Sequence, residues 1–209
     1  MLTKAKYHHG DLKNALITAG LEILATEGVH ALTLRKVAQR AGVSHAAPYA
    51  HFADKQALIA AISTEGFRKL YEQLSIAITP HAGDPANQLL EGAFALMRFA
   101  FDDTAQFKTM FSGALDKEKD YPAFVEISQK TFGRVNDVVA ACQKAGILKQ
   151  GPTDLIAVTV WGQVHGIISL VLEGQVPHII LEKVTLREML IVSLNQLTLI
   201  EIGRDKSQN

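Results

Sequence analysis

The sequence predicts an all-α fold of about nine helices, and three observations carry that prediction. Apolar residues recur at helical spacing through nearly the whole chain, no long alternating run marks a strand, and the periodic stretches stop at Gly, Pro and Asp clusters. With 209 residues the chain is long enough for a small N-terminal domain with a larger helical body behind it, or for one large helical domain.

The first helix is expected from about Asp11 to Glu27, capped by Asp11 and stopped by Gly28, with Leu12, Leu16, Ala19 and Ile23 on one face. The run from Thr33 to Phe52, TLRKVAQRAGVSHAAPYAHF, then reads as two short helices. Thr33 caps the first, on which Val37, Ala38 and Ala41 share a face, and Gly42 supplies the positive φ that its C-terminus needs. Val43 plugs the corner and Ser44 caps the second helix. So short a connection makes the helices cross steeply, which is helix-turn-helix geometry with the second helix shaped to enter the major groove of DNA.

Charge placement points the same way. Arg35 and Lys36 lie in the first turn of one helix and Lys55 in the first turn of the helix after Asp54, where the helix dipole disfavours cations. As solvated surface groups each carries a conflict of only about 0.3–1 kcal/mol. A phosphate held at those helix ends removes it.

The body continues as further helices. A long one from about Asp54 to Thr79 ends at Pro80, His81 to Pro85 makes a break, and Asp84 with Pro85 starts another that reaches about Asp103. A short helix covers about Ala105 to Gly113, the loop Asp116 to Asp120 is polar, and a helix runs from about Pro122 to Ala145. Gly146 and the Gly151-Pro152 pair bound the next connection, and two last helices are expected over about Thr153 to Leu172 and Val184 to Ile202. The tail, residues 204–209, lies beyond the last helix.

Leu155 to Leu172 contains no charged residue, and Gly162 and Gly166 make a G-x-x-x-G spacing, so a membrane span is weighed here. Gln163 and His165 at its centre, and Asp154 and Glu173 at its ends without a Lys/Arg bias, favour a helix buried on both sides in protein and no membrane. On the last helix Leu186, Leu190, Leu194 and Leu197 form a stripe. A core explains that stripe, and so does pairing with the same helices of a second chain through Leu155, Val158, Gly162 and Gly166.

The formal net charge is zero, yet residues 1–60 hold seven cations against four acids, with five histidines besides. The remainder is therefore net acidic, an asymmetry that fits one end on DNA and the other off it. Cys142 is the sole cysteine, which excludes an intrachain disulfide, and the polar N-terminus carries no signal-peptide pattern, so a cytoplasmic location is expected. No phosphate loop, H-E-x-x-H, cysteine cluster or nucleophile with a base is present, and no cofactor is expected. His8-His9 is the best metal candidate but lacks spaced acidic or thiol partners, which favours an N-terminal arm, residues 1–10, that brings Lys6 and these histidines to DNA.

Residues Asp11 to Leu58 resemble the DNA-binding domain of TetR-type transcriptional regulators: ALITAGLEILATEG, then TLRKVAQRAGVS, then the Y-x-H-F-x-x-K-x-x-L ending of Tyr49, His51, Phe52, Lys55 and Leu58. The resemblance implies phosphate contacts from Thr33, Ser44, Tyr49, His51 and Lys55, and base contacts from His45, Ala46 and Ala47. Ala47-Pro48 departs from the usual Thr-Leu, and proline distorts the start of the recognition helix by removing a donor and biasing Ala47 away from helical dihedrals. WGQVHG, Trp161 to Gly166, resembles the signature of a TetR-type subgroup with a Trp-His-Gly C-terminal domain.

This resemblance implies a three-helix DNA-binding domain over residues 1–58 and an effector-binding and dimerisation domain over 59–203, with two C-terminal helices from each chain forming a two-fold four-helix interface. It also implies a pocket for a small, mostly apolar effector, with Phe94, Met97, Arg98, Phe101, Phe111, Phe124, Trp161 and His165 as lining candidates. Core packing explains most of these aromatics equally well, and His165 alone reads more readily as a hydrogen-bonded core residue than as a ligand. The function expected is a homodimeric repressor released from a palindromic operator by its effector, the long helix from Asp54 carrying the coupling. A ligand-independent activator or architectural protein, and more remotely a helical metal-binding enzyme, are the alternatives.

Overall fold

The computed structural model describes residues 9–116 and 118–203. Among them are nine α-helices and no strand: α1 His9–Glu27, α2 Leu34–Arg40, α3 Lys55–Ile78, α4 Pro85–Asp102, α5 Thr104–Phe111, α6 Pro122–Lys144, α7 Thr153–Leu172, α8 His178–Leu181 and α9 Leu186–Asn195. The chain forms two compact units. One gathers residues up to Phe67 with Asp103–Ser128, and the other gathers Arg68–Asp102 with the residues from Gln129 onward.

The first unit is built on the apolar faces of three helices. Leu16, Ala19 and Ile23 of α1, Leu34 and Val37 of α2, and Leu58, Ile59 and Ile62 of α3 close over one another, with Phe52 driven in between. Each fully buried large side chain contributes about 1.5–3 kcal/mol, which is what holds the seven-residue α2 against α1 and α3. α5 completes the unit, and Gly66 lets it approach α3. A methyl group at that position would overlap Met110 Sδ and lie 2.9 Å from Gln106 Cγ. Gln106, itself buried, donates its amide to the Ile62 carbonyl at 3.0 Å, and Phe67 meets the rings of Phe111 and Phe124 edge-on.

The second unit packs α4, α6, α7 and α9. Leu89, Phe94, Leu96 and Phe99 of α4, Val138 and Val139 of α6, Val160, Val164 and Ile168 of α7, and Leu190 and Leu194 of α9 form its core. The α6–α7 connection is tied by one buried side chain. Gln143 donates to the carbonyls of Lys149 and Gly151, and its own amide oxygen accepts from Thr153 Oγ1. α9 starts in a capping box, Thr185 accepting from the Glu188 backbone while Glu188 accepts from Thr185. Those bonds to its charged form hold the Glu188 carboxyl below its ordinary value.

Four expectations are corrected. α1 begins at His9, two residues before Asp11. The last helix stops at Asn195 instead of Ile202, because the chain after it is claimed by other partners. Leu199 N donates to the Ile147 carbonyl at 2.7 Å, Leu148 and Thr198 form an isolated β-bridge, and Asn195 Oδ1 accepts from Ile202 N. The connection before α9 holds α8, too short to register as a helical period. Finally, α7 is not buried on both sides within the chain. Its mean hydropathy of 1.9 makes it long and apolar enough to cross a membrane, yet only 22% of that stretch is buried. α4 and α9 cover one side of it and leave Leu155, Val158 and Leu170 exposed.

Cys142 is fully buried on α6, with its thiol against the Pro85 carbonyl at 3.2 Å, and burial followed by the Asp84 charge pushes its pKa up to about 12. A thiol so placed holds almost no thiolate at neutral pH. The folded protein is expected to resist a chromogenic disulfide reagent at pH 8 and to release one equivalent of thiol per chain only when denatured in guanidinium.

Candidate nucleic-acid interface

The turn is assembled as its residue types dictate. Thr33, extended at φ −140°, accepts from Lys36 N at 3.2 Å and starts α2, while Val37 and Ala38 vanish into the core of the first unit. At the other end Gly42 has φ +69°, and Val43 N reaches back to the Ala38 carbonyl at 3.0 Å. That six-residue closure is the Schellman pattern, and the positive φ is what turns the chain sharply away from α2.

The segment beyond Gly42 is not an α-helix. Ala47–Ala50 is a single 3₁₀ turn with Ala46 in the capping position and no side-chain cap, so the expectation that Ser44 caps a second α-helix is corrected. Pro48 is the cause: it has no N–H to send back to the preceding turn and sits at the start of the segment, the one place where that lack is harmless. Its carbonyl accepts from both His51 N and Phe52 N at 2.9 Å, and Pro48 and Phe52 are buried. The segment is thus pinned from beneath by Pro48 and Phe52, and Ser44, His45, Ala46 and Tyr49 are left exposed, Tyr49 to 61%.

The three cations at helix starts separate into different roles. Lys36 is ion-paired with Glu27 of α1, and Arg40 reaches Glu22 at 3.3 Å and Glu27 at 3.7 Å. These half-exposed pairs are each worth about 0–1 kcal/mol. Lys55 is half-buried and gives its ammonium to the Val29 carbonyl at 2.6 Å, a bond that ties the start of α3 to the 3₁₀ turn after α1. Asp54 caps α3 by accepting from Ala57 N at 2.8 Å. Arg35 is exposed and has no ion pair among the described residues. Of the residues expected at DNA, Thr33, Arg35, Ser44, His45, Ala46 and Tyr49 are exposed, Ala47 and His51 are half-buried, and Lys6 lies outside the described residues.

The expected effector residues do not gather in one place. Phe111 and Phe124 belong to the first unit, packed on Phe67. In the second unit Phe94 is buried beneath the Arg187 guanidinium, 3.8 Å from its ring centroid, and Arg98 is exposed and 3.9 Å from Glu91. Met97 is half-buried, and Phe101 is 46% exposed. His165 is half-buried, and burial lowers its pKa, so the neutral imidazole is favoured.

The second unit does hold an apolar hollow, and Trp161 is the one expected residue that lines it. The other walls are Leu74 and Ile78 from α3, Leu89 and Leu96 from α4, Arg134 and Val138 from α6, and Val160 and Val164 from α7. Sequence reasoning passed over Arg134, whose helical neighbours Lys130, Thr131 and Asp137 give no sign of an apolar surrounding. Of the residues expected at a dimer contact, Leu155, Val158 and Gly162 are exposed and Gly166, Leu186 and Leu197 half-buried. Leu190 and Leu194 are fully buried inside the chain and have no surface left for a partner, a correction caused by their packing in the second-unit core.

Residues 16–62 match the family described as "Bacterial regulatory proteins, tetR family", and residues 89–194 match "Tetracyclin repressor-like, C-terminal domain". The second match contains WGQVHG but does not establish the Trp-His-Gly subgroup. An uncharacterized HTH-type transcriptional regulator, YobS of Bacillus subtilis (strain 168), is 26% identical over 111 residues, 53% of this chain and 57% of that protein. The tetracycline repressor protein class A from transposon 1721 of Escherichia coli is 46% identical over 50 residues, 24% of this chain and 23% of that one. The chain thus spans little more than half the length of the first of these relatives and under a quarter of the second. A solved structure of a protein with unknown function from Rhodococcus sp. RHA1 is 28% identical with a TM-score of 0.77, covering 92% of this chain and 96% of that one.

Replacing Thr33 by Ala removes the only side-chain cap on the seven-residue α2. The expected loss is about 1 kcal/mol, read as a lower urea midpoint with an unchanged m-value.

Proposed function

The chain belongs to the TetR family of bacterial regulatory proteins, and we propose that it acts as a cytoplasmic homodimeric repressor, released from a palindromic operator by a small, mostly apolar effector. One observation carries the DNA-binding part of this reading. The exposed edge of the turn presents Arg35, His45 and Tyr49 on a backbone pinned from below by Val37, Pro48 and Phe52. Exposed donors on a rigid support are what a phosphate backbone requires, and the net positive N-terminal region supplies the field. On this reading residues 1–58 read DNA and 59–203 take the effector and a second copy, with α3 as the covalent path between the two.

Two copies are needed because one head reads only a half-site. The exposed face of α7, Leu155, Val158, Gly162 and Leu170, together with Val192 of α9, is the surface proposed for that contact. Neither Gly162 nor Gly166 has an atom within 4 Å of where a Cβ would stand, which leaves room for a partner helix to come close. Repression is then relieved if the effector favours a head spacing that the operator does not, so that binding shifts the population off DNA.

Titrating labelled DNA from the regions flanking the gene, by fluorescence anisotropy, tests the main reading. One fragment is expected to bind about a thousandfold or more tighter than random DNA at physiological salt, with affinity falling steeply as salt rises. A folded dimer that prefers no flanking fragment sinks it. Arg35→Ala is expected to weaken binding to all sequences alike and to flatten the log–log salt slope by about one unit. For the interface, Val158→Arg is expected to give a monomer with unchanged helical circular dichroism by analytical ultracentrifugation. The symmetry places the change on both sides of the contact, doubling a burial contribution of about 1.5 kcal/mol or more.

A further inference from the structure

The segment that would enter the major groove is poor in hydrogen-bonding groups. It is a 3₁₀ turn, in which residues three apart eclipse one another, so Ala47 lines up with Ala50 while Pro48 and Phe52 take the buried side. Ala46 and Ala50 are exposed and Ala47 is half-buried. The backbone that carries them is engaged as well. Ala47 N donates to the Ser44 carbonyl at 3.0 Å, Tyr49 N donates to the Ala46 carbonyl at 3.2 Å, and Pro48 has no N–H. On the regulator reading Arg35, His45 and Tyr49 meet the phosphate backbone, which leaves three alanine methyl groups for the base edges.

The four bases differ in what they ask of such a surface. Guanine, adenine and cytosine present acceptors or an amino donor in the major groove, and an alanine side chain satisfies none of them. Thymine adds to its O4 acceptor a methyl group, which an alanine methyl can meet and cover. A cytosine in its place would set an amino group against hydrocarbon and leave it without an acceptor, which is unfavourable. Reach is short. At about 2 Å of rise per residue, Ala47 and Ala50 stand roughly 6 Å apart and span at most about two base-pair steps.

We propose that the chain reads each operator half-site through thymine methyl groups, with Ala46, Ala47 and Ala50 as the specificity-determining residues and thymines clustered within about three neighbouring base pairs as what they select. The proposal rests on reading the turn as the DNA contact and adds to it the chemistry by which one sequence is told from another. Pro48 and Phe52 fix the turn from beneath, so the methyls hold one position against the groove. Affinity then comes from the phosphates and discrimination from hydrocarbon.

The flanking fragment that the full-length chain binds in the anisotropy titration is amplified again with dUTP in place of dTTP, which keeps every base pair and removes only the thymine methyls. Specific affinity is expected to fall about tenfold or more, from the loss of at least one buried methyl contact in each half-site, while binding to random DNA is unchanged. Synthetic duplexes with single thymine-to-uracil changes then locate the effect. It is expected at matching positions of the two half-sites, within about three neighbouring base pairs of each. Ala46→Gly and Ala50→Gly are each expected to reduce the ratio of thymine to uracil affinity. That ratio is taken within one variant, so a loosened turn lowers both affinities and drops out of it. The mapping uses the unaltered chain and decides the matter even where a variant binds no fragment specifically. Equal affinity for the two fragments, a loss spread evenly over all thymines, or a ratio that neither glycine variant changes overturns the proposal. Specific binding that ignores the methyls refutes this readout alone, and a chain that prefers no flanking fragment refutes the regulator and this readout with it.

Discussion

The second unit depends on a single imbalance: α7 is apolar on more sides than one chain can cover. Ala157, Val160, Val164 and Ile168 fall on the face that α4 and α9 bury, and each contributes the ordinary burial gain. Other apolar positions of the same helix, Leu155, Val158 and Leu170, stay in water. A monomer that leaves such a face open is unusual, and a surface of this kind marks a contact to be made. The same helix lends Val160, Trp161 and Val164 to the hollow on its inner side. One element thus faces both the cavity and the open surface, so a change in one packing bears on the other.

The first unit adds charge and backbone geometry to the burial that holds it together. Its helices, packed on one apolar core, are also capped and cross-tied: Thr33 at α2, Asp54 at α3, the ion pairs of Lys36 and Arg40 with α1, and the Lys55 ammonium on the Val29 carbonyl. Those ties absorb most of the cations that the helix dipoles disfavour. Arg35 is left over. An exposed cation at a helix start, with no ion pair among the described residues, is where a phosphate finds both a charge and free N–H groups.

Legibility in the sequence tracked the range of the forces involved. Helix placement was readable because capping residues, Gly42 and the prolines act on their immediate neighbours, and α3, α4, α6 and α7 begin and end within a residue or two of where Asp54, Pro85, Pro122 and Gly151-Pro152 place them. The second helix of the turn was misread because one proline tips a four-residue segment between α and 3₁₀ hydrogen bonding, a difference that periodicity does not detect. The last helix was read too long because its end is set by bonds to Ile147 and Ile202, the first of them far away in the chain. Aromatic residues suggested a pocket, yet Phe94 became core beneath Arg187 and Phe111 and Phe124 joined the other unit, since burial alone does not say which cluster a ring will enter.

By itself, then, the sequence determined the all-helical class, the helix-turn-helix and the family, because local backbone preferences and a dense run of motif residues settle those without reference to distant contacts. Tertiary structure alone decided which apolar faces remain open and which side chains line the hollow. Leu190 and Val158 look alike as apolar helix positions, but Leu190 is sealed inside and Val158 is 56% exposed. Arg134 and Arg98 look alike as cations on amphipathic helices, but Arg134 is among the residues lining the hollow and Arg98 is exposed beside Glu91. The physical reason is that burial and desolvation are properties of the surroundings, and those come from segments that are remote in the chain.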